Sequence, residues 1–259
     1  MGALDVLSRN SSVIVGDDIL NGVAAYFAGK GVPNDDQTAG ISGAIAAAHY
    51  IRAIAPAYKI PVILHTDYCP AKLLPWLDWM LSPDEAHFAE HGEPLFSSHM
   101  IGLSEEDKDF NIATTKKYLS RAALMKQWLE MEIRTTGGEE DGVDNTGVDN
   151  SALYTQPEDI WEVYSALVTV SPYFSIAAGF GNVHGVYKPG KVRPHSELLR
   201  RHQEFTRGKL AGGGRRSHCF WSSMVDPGST KAEFETAIGH GVAKVNLDTD
   251  LQSALHEET

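Results

Sequence analysis

Only two cysteines, Cys69 and Cys219, occur in 259 residues. They cannot build a disulfide framework, so a reducing compartment is expected. Basic residues are scarce: 22 Lys and Arg stand against 34 Asp and Glu, a net charge of −12. That balance argues against nucleic acid and against an anionic membrane surface, since both need a basic footprint. No apolar run is long enough to span a bilayer, and the N-terminus lacks a basic-then-apolar leader. Met1-Gly2 lacks the Ser or Thr that a myristoylation motif wants at position 6, which is Val6. Repeats are absent, and no linker divides residues 1–259 into more than one domain. The expectation is a soluble, cytoplasmic, single-domain protein.

What is present alternates between strand and helix patterns. Residues 1–21 read as a short helical lead with Gly16-Asp17-Asp18 as a turn, and Gly22 to Gly40 as a glycine-rich loop. Ile41 to Tyr58 carries Ala44, Ile45, Ala48, Ile51 and Ala55 at helical spacing. Pro61 to Leu64 is a wholly apolar strand running into His65-Thr66-Asp67, the mark of a parallel sheet covered on both faces. Ala71–Met80 reads as helix, Leu95–Ile101 as strand, Ser104 as the cap of the next helix, and Leu129–Ile133 as strand. Helix follows at Pro157–Leu167, strand at Phe174–Ala178, helix at Lys231–Ile238 and strand at Val242–Leu247. The alternation argues a (β/α) barrel or a doubly wound sheet. Asp67, His99, Glu132, His184, Asn246 and Asp248 collect at strand C-terminal ends, which is where a TIM barrel keeps its site.

The stretch from Trp128 to Asn145, WLEMEIRTTGGEEDGVDN, is the most telling. A strand with Glu130 and Glu132 breaks at Gly137-Gly138 into the acidic run Glu139-Glu140-Asp141. A carboxylate on a rigid strand end beside a glycine-hinged acidic loop suits metal-assisted proton abstraction. This stretch resembles the TGGEEDGV signature of the class II, zinc-dependent fructose-bisphosphate aldolases. So do GAIAAAHYIRAIAPAY (43–58), PVILHTD (61–67), KLLPWLD (72–78), GEPLFSSHM (92–100), LYTQPED (153–159), FGNVHGVYKPG (180–190) and KVNLDTD (244–250).

The resemblance implies a TIM (β/α)8 barrel, and reversible cleavage of fructose 1,6-bisphosphate to dihydroxyacetone phosphate and glyceraldehyde 3-phosphate. It implies Zn2+ to polarise the carbonyl and stabilise the enediolate, a monovalent cation, a homodimer and a place in glycolysis. Asp67 falls on the residue that donates a proton to the aldehyde oxygen, and Glu140 on the proton-abstracting glutamate. His184 falls on a zinc ligand and Glu132 on a carboxylate close to the metal. Gly185 and Asn246, Leu247, Asp248 and Thr249 fall on the pocket for dihydroxyacetone phosphate, where backbone N–H groups suit a phosphate dianion.

Departures accompany the matches. Tyr68 stands where the family has a zinc histidine, and a neutral phenol is a poor substitute for imidazole on zinc. Gly102 stands where a carboxylate follows SSHMI. Met224 stands where the family's third zinc histidine sits, in a run, Cys219 to Gly228, that a one-base shift of a family-like coding sequence reproduces. The family segment with the first two barrel strands has no counterpart between Asp18 and Ala25, and further C-terminal helices are not matched. The barrel is thus expected to be incomplete, with about six strands, and with Pro61–His65 and Val242–Leu247 as open edges. Two alternatives stand beside a working aldolase: a catalytically silent sugar-phosphate-binding relative, and the unstable product of a damaged gene.

Overall fold

A computed structural model describes residues 15–19, 21–59, 61–133, 139–140, 143–144, 154–179, 196–211, 221–224, 235–236 and 238–246. They group into two compact units, Met1–Gly102 with Lys117–Leu129, and Leu103–Lys116 with Glu130–Thr259.

The first unit begins with strand β1 (Val15–Ile19) and helix α1 (Asn21–Ala28), then α2 (Thr38–Tyr58), strand β2 (Val62–Thr66), α3 (Leu74–His91) and β3 (Ser98–Ile101). Helix α4 (Lys108–Ala123) gives its last turns to this unit, and so does the start of β4 (Trp128–Glu132). The strand order is β1-β2-β3-β4, with β1–β2 and β2–β3 parallel. Ala44, Ala47, Ala48 and Ile51 of α2 are buried at helical spacing, as the sequence predicts. Helix α3 starts with proline in its first turn and ends at Gly92, whose φ of +77° makes a left-handed cap.

Residues 1–40 differ from expectation. In place of a helical lead with a turn at Gly16-Asp17-Asp18, Val15–Ile19 is a strand in register with Val62–Thr66 along all five residues. The β-branched Val15 and Ile19 favour extended backbone, and β2 supplies a ladder that a surface helix would leave unpaired. Val62–Thr66 is therefore not an open edge, because β1 covers one side and β3 the other. Part of the predicted 22–40 loop is helix α1, ended by Gly29 at φ +93°. This helix packs on α2 where Gly40 and Gly43 leave room for Asn21 and Ala24.

The second unit holds the first turns of α4, the rest of β4, and a ribbon of β5 (Glu139–Glu140) and β6 (Val143–Asp144). It continues through α5 (Pro157–Leu167), β7 (Phe174–Ala177), α6 (Ser196–Ala211), β8 (Trp221–Met224) and β9 (Val242–Asn246). Its main order is β4-β7-β8-β9, with β7–β8 and β8–β9 parallel. Helix α6 was not among the predicted elements, and β8 forms on the disturbed run, with a register irregularity at Trp221 and Ser222. Aromatic Trp221 and the short polar residues after it suffice for a ladder between two paired neighbours.

Two strands separate β4 from β9, about 14 Å if flat at ~4.8 Å per strand. Yet Lys244 Nζ on β9 lies 3.4 Å from Glu130 Oε2 on β4, and Ser175 on β7 donates to the same oxygen at 3.5 Å. Side chains from β4, β7 and β9 thus meet on one face of this unit's strands.

Candidate functional site

In the first unit the site is built on the β2–β3 ladder. Side chains alternate across a strand, so His65 and Thr66 point to opposite faces. On one face Thr66 Oγ1 and His99 Nδ1 are 2.7 Å apart. His99 Nε2 reaches Asp84 Oδ2 at 2.7 Å, and Gln127 Nε2 donates to the same carboxylate at 2.7 Å. Asp84 Oδ1 takes the backbone N–H of Phe96 at 2.7 Å. His99 and Asp84 are fully buried in this network, so His99 lies inside β3 as a satisfied core residue rather than at a functional strand end.

On the other face His65 Nδ1 meets Ser98 Oγ at 2.7 Å, and His65 Nε2 lies 3.5 Å from Asp67 Oδ1. Asp67 follows the last residue of β2 and is 9% exposed. This is the position predicted for the proton donor. His65, two residues earlier, was not predicted. The period-two spacing of LHTD is the signal that could have found it.

Tyr68 comes next, with a φ of +48° and its side chain buried. Its ring lies against Gly102: a Cβ there would stand 2.9 Å from Cδ2 and 3.0 Å from Cε2. The N–H of Gly102 donates to Cys69 O at 3.0 Å, which ties the loop after β2 to the end of β3. Burial pushes the Cys69 thiol up to about 12, with the Asp78 charge adding to the shift.

In the second unit Glu132 is the last residue of β4 and is buried. Ser104 Oγ donates to its Oε2 at 2.8 Å, and Asn111 Nδ2 donates to its backbone carbonyl at 2.8 Å and to Leu103 O at 3.0 Å. Ser104 is thus not the cap of α4. The helix opens at Lys108, where Asp107 Oδ1 accepts the N–H of Asp109 at 2.9 Å. Glu140 lies in β5, paired in antiparallel register with Val143, so the predicted acidic loop includes a short ribbon. Met224 closes β8 and pairs in register with Asn246, which closes β9. His184, Gly185, Leu247, Asp248 and Thr249 lie outside the described residues.

The described residues do not fit the family's metal. Among them, no group of three His, Cys, Asp or Glu is arranged to hold an ion. At the two first-unit positions where the resemblance calls for imidazole and carboxylate, a phenol ring packs on a glycine.

Each unit thus carries a buried carboxylate at a strand end, Asp67 after β2 in the first and Glu132 on β4 in the second. A family model described as "Fructose-bisphosphate aldolase class-II" matches residues 8–259, and the chain belongs to that family. It is 56% identical over 297 residues to fructose-bisphosphate aldolase 1 of Paracoccidioides lutzii, covering 98% of this chain and 82% of the relative. It is 61% identical over 233 residues to the Neurospora crassa fructose-bisphosphate aldolase, covering 89% of this chain and 64% of the relative. The crystal structure of the Campylobacter jejuni fructose-bisphosphate aldolase superposes with a TM-score of 0.82 at 42% identity, over 98% of this chain and 69% of that one. The fold is the TIM-barrel type of this family. The 297 aligned residues set against 98% of 259 leave about forty positions of the Paracoccidioides protein without a partner.

Proposed function

We propose that this chain acts on the substrates of its family, with reversible aldol cleavage of fructose 1,6-bisphosphate as its reaction, at a rate far below that of a complete site. The observation that supports it is Asp67: a buried carboxylate at the end of β2, 3.5 Å from His65, in a chain that shares most of its length with named aldolases. In the synthesis direction Glu140 takes the C–H proton beside the carbonyl of dihydroxyacetone phosphate. The carbanion then attacks the aldehyde carbon of glyceraldehyde 3-phosphate, and Asp67 gives its proton to the aldehyde oxygen. Cleavage runs the same steps backwards. Asn246 to Thr249 and Gly185 would hold the phosphate end through backbone N–H groups. His184 and Glu132 are what remains of the zinc set, and no step is assigned to the ion. We take residues 1–259 as one catalytic domain, cytoplasmic and paired as a homodimer. Among the described residues, no helix is long and apolar enough to cross a membrane.

A second reading, sugar-phosphate binding without turnover, draws support from the Tyr68–Gly102 packing. The two readings part in one experiment. Triose phosphate release from fructose 1,6-bisphosphate is followed for the full chain and for Asp67→Ala, with zinc added and withheld. Cleavage that Asp67→Ala abolishes supports the aldolase reading. Dihydroxyacetone phosphate binding by calorimetry with no cleavage above that variant would replace it with the second.

A further inference from the structure

Tyr68 and Gly102 depart from the family's pattern at separate points in the sequence, and each alone reads as a lost metal contact. In the structure they are one contact. The Tyr68 ring packs where a side chain on residue 102 would begin, with 2.9 and 3.0 Å left for a Cβ beside Cδ2 and Cε2. Real Cβ atoms are not found that close to carbon, because overpacking of this kind forces a side chain or the backbone to move. Movement is restricted here. Tyr68 is buried and held at φ +48°, a left-handed conformation that a bulky residue adopts only when its surroundings impose it. The next residue, Cys69, is fully buried, and its carbonyl accepts the Gly102 N–H at 3.0 Å. Gly102 has no positive φ, so its backbone tolerates a side chain and only the ring forbids one.

We infer that Tyr68 and Gly102 are a single interlocked replacement. An aromatic ring fills the metal side of the first unit, and neither residue reverts alone. The proposal rests on the reading of these positions as the family's metal side, and two readouts keep that reading separate from the packing itself.

The first is a melting cycle on the full chain with Gly102→Ala, Tyr68→Ala and the double variant. Gly102→Ala should lower the melting midpoint by roughly 3–10 °C in the parent and leave it unchanged in the Tyr68→Ala background. Equal shifts in both backgrounds would overturn the interlock. The second is zinc content after dialysis, for the parent, Tyr68→His, Gly102→Asp and the pair. The parent and both single variants should hold far less than one zinc per chain, and the pair should exceed the better single by at least tenfold. Stoichiometric zinc in the parent would overturn the proposal, as would a gain from Tyr68→His that equals that of the pair. Coupling in the melt with no gain in zinc for the pair would refute the assignment of these positions to the metal, and with it that part of the functional reading.

Discussion

The Ser104 hydroxyl donates a hydrogen bond to Glu132 Oε2 across 2.8 Å. Residues 104 to 106 read as the start of a helix, yet the cap falls three residues later, on Asp107. The backbone makes the difference: Asp107 Oδ1 reaches the N–H of both Asp109 and Phe110, whereas Ser104 turns to the end of β4. The two roles separate by mutation. Asp107→Ala should cost about 1 kcal/mol and speed amide exchange at Asp109 and Phe110. Ser104→Ala should leave those amides unchanged and cost ~1–3 kcal/mol, because Glu132 loses a donor in a buried place. Faster exchange at Asp109 in Ser104→Ala would return the cap to Ser104.

Local chemistry made the longer elements legible. The Ala-Ile spacing of α2, the proline at the start of α5 and the apolar run of β2 appear within a few residues of prediction. Asp67 is legible at a strand end because the apolar run of β2 stops at polar residues, and Glu132 because the alternating strand WLEME runs into a glycine-hinged acidic stretch. Residues 1–40 were not legible. Val15–Ile19 contains two adjacent aspartates and becomes a strand only because β2 offers a parallel partner, which is a non-local fact. The Tyr68–Gly102 contact joins residues 34 positions apart and carries no local signal. His99 misled for the opposite reason: its polarity suggested a site, but Asp84, from α3, satisfies it in the core.

Gly43 is where α1 and α2 come closest. A Cβ there would fall inside van der Waals contact of the Ala24 carbonyl oxygen and 2.7 Å from its carbon. That neighbour is backbone, so the helices themselves must part. Gly43→Ala should destabilise by ~1–3 kcal/mol or more through this overpacking. Gly208, inside α6, has nothing within 4 Å of such a Cβ, so Gly208→Ala should stabilise by ~0.5–1 kcal/mol through reduced chain entropy and better helix propensity. Denaturant midpoints of the two variants check both signs.

His202 of α6 should make the fold sensitive to acid. Its Nε2 lies 2.8 Å from Thr155 O, and Thr155 Oγ1 accepts the N–H of Gly179 at 2.9 Å. Burial lowers its folded pKa below the ordinary 6.5, and the Arg201 charge adds to this, although the hydrogen bond to Thr155 opposes it. Between the two values the unfolded chain binds more protons than the folded one. The stabilising contribution is therefore present above about pH 6.5 and is lost as pH falls through the folded value. His202→Gln keeps an N–H for Thr155 O but cannot charge. Its melting midpoint should fall less between pH 7.5 and pH 5.5 than that of the parent, and parallel slopes would exclude His202 as the source.

The last prediction concerns β1, which alters what the missing family segment means for folding. The sequence implied that β2 would be an open edge, prone to pairing with other chains. Instead Asp17 pairs with Leu64 in the middle of a five-residue parallel ladder, so the chain closes that edge with its own N-terminal strand. The protection is a single five-residue ladder, which makes it easy to remove. Asp17→Pro fixes φ and deletes an N–H at the centre of the five-residue ladder of this end strand, which should weaken its pairing with β2. An uncovered β2 presents unpaired N–H and C=O groups beside apolar Leu64. The Asp17→Pro chain should therefore bind hydrophobic dyes and elute as aggregate, whereas Asp17→Ala, which keeps the backbone N–H at the same place in the ladder, serves as the control. Solubility and dye binding of Asp17→Pro equal to the parent's would show that β1 does not guard the edge.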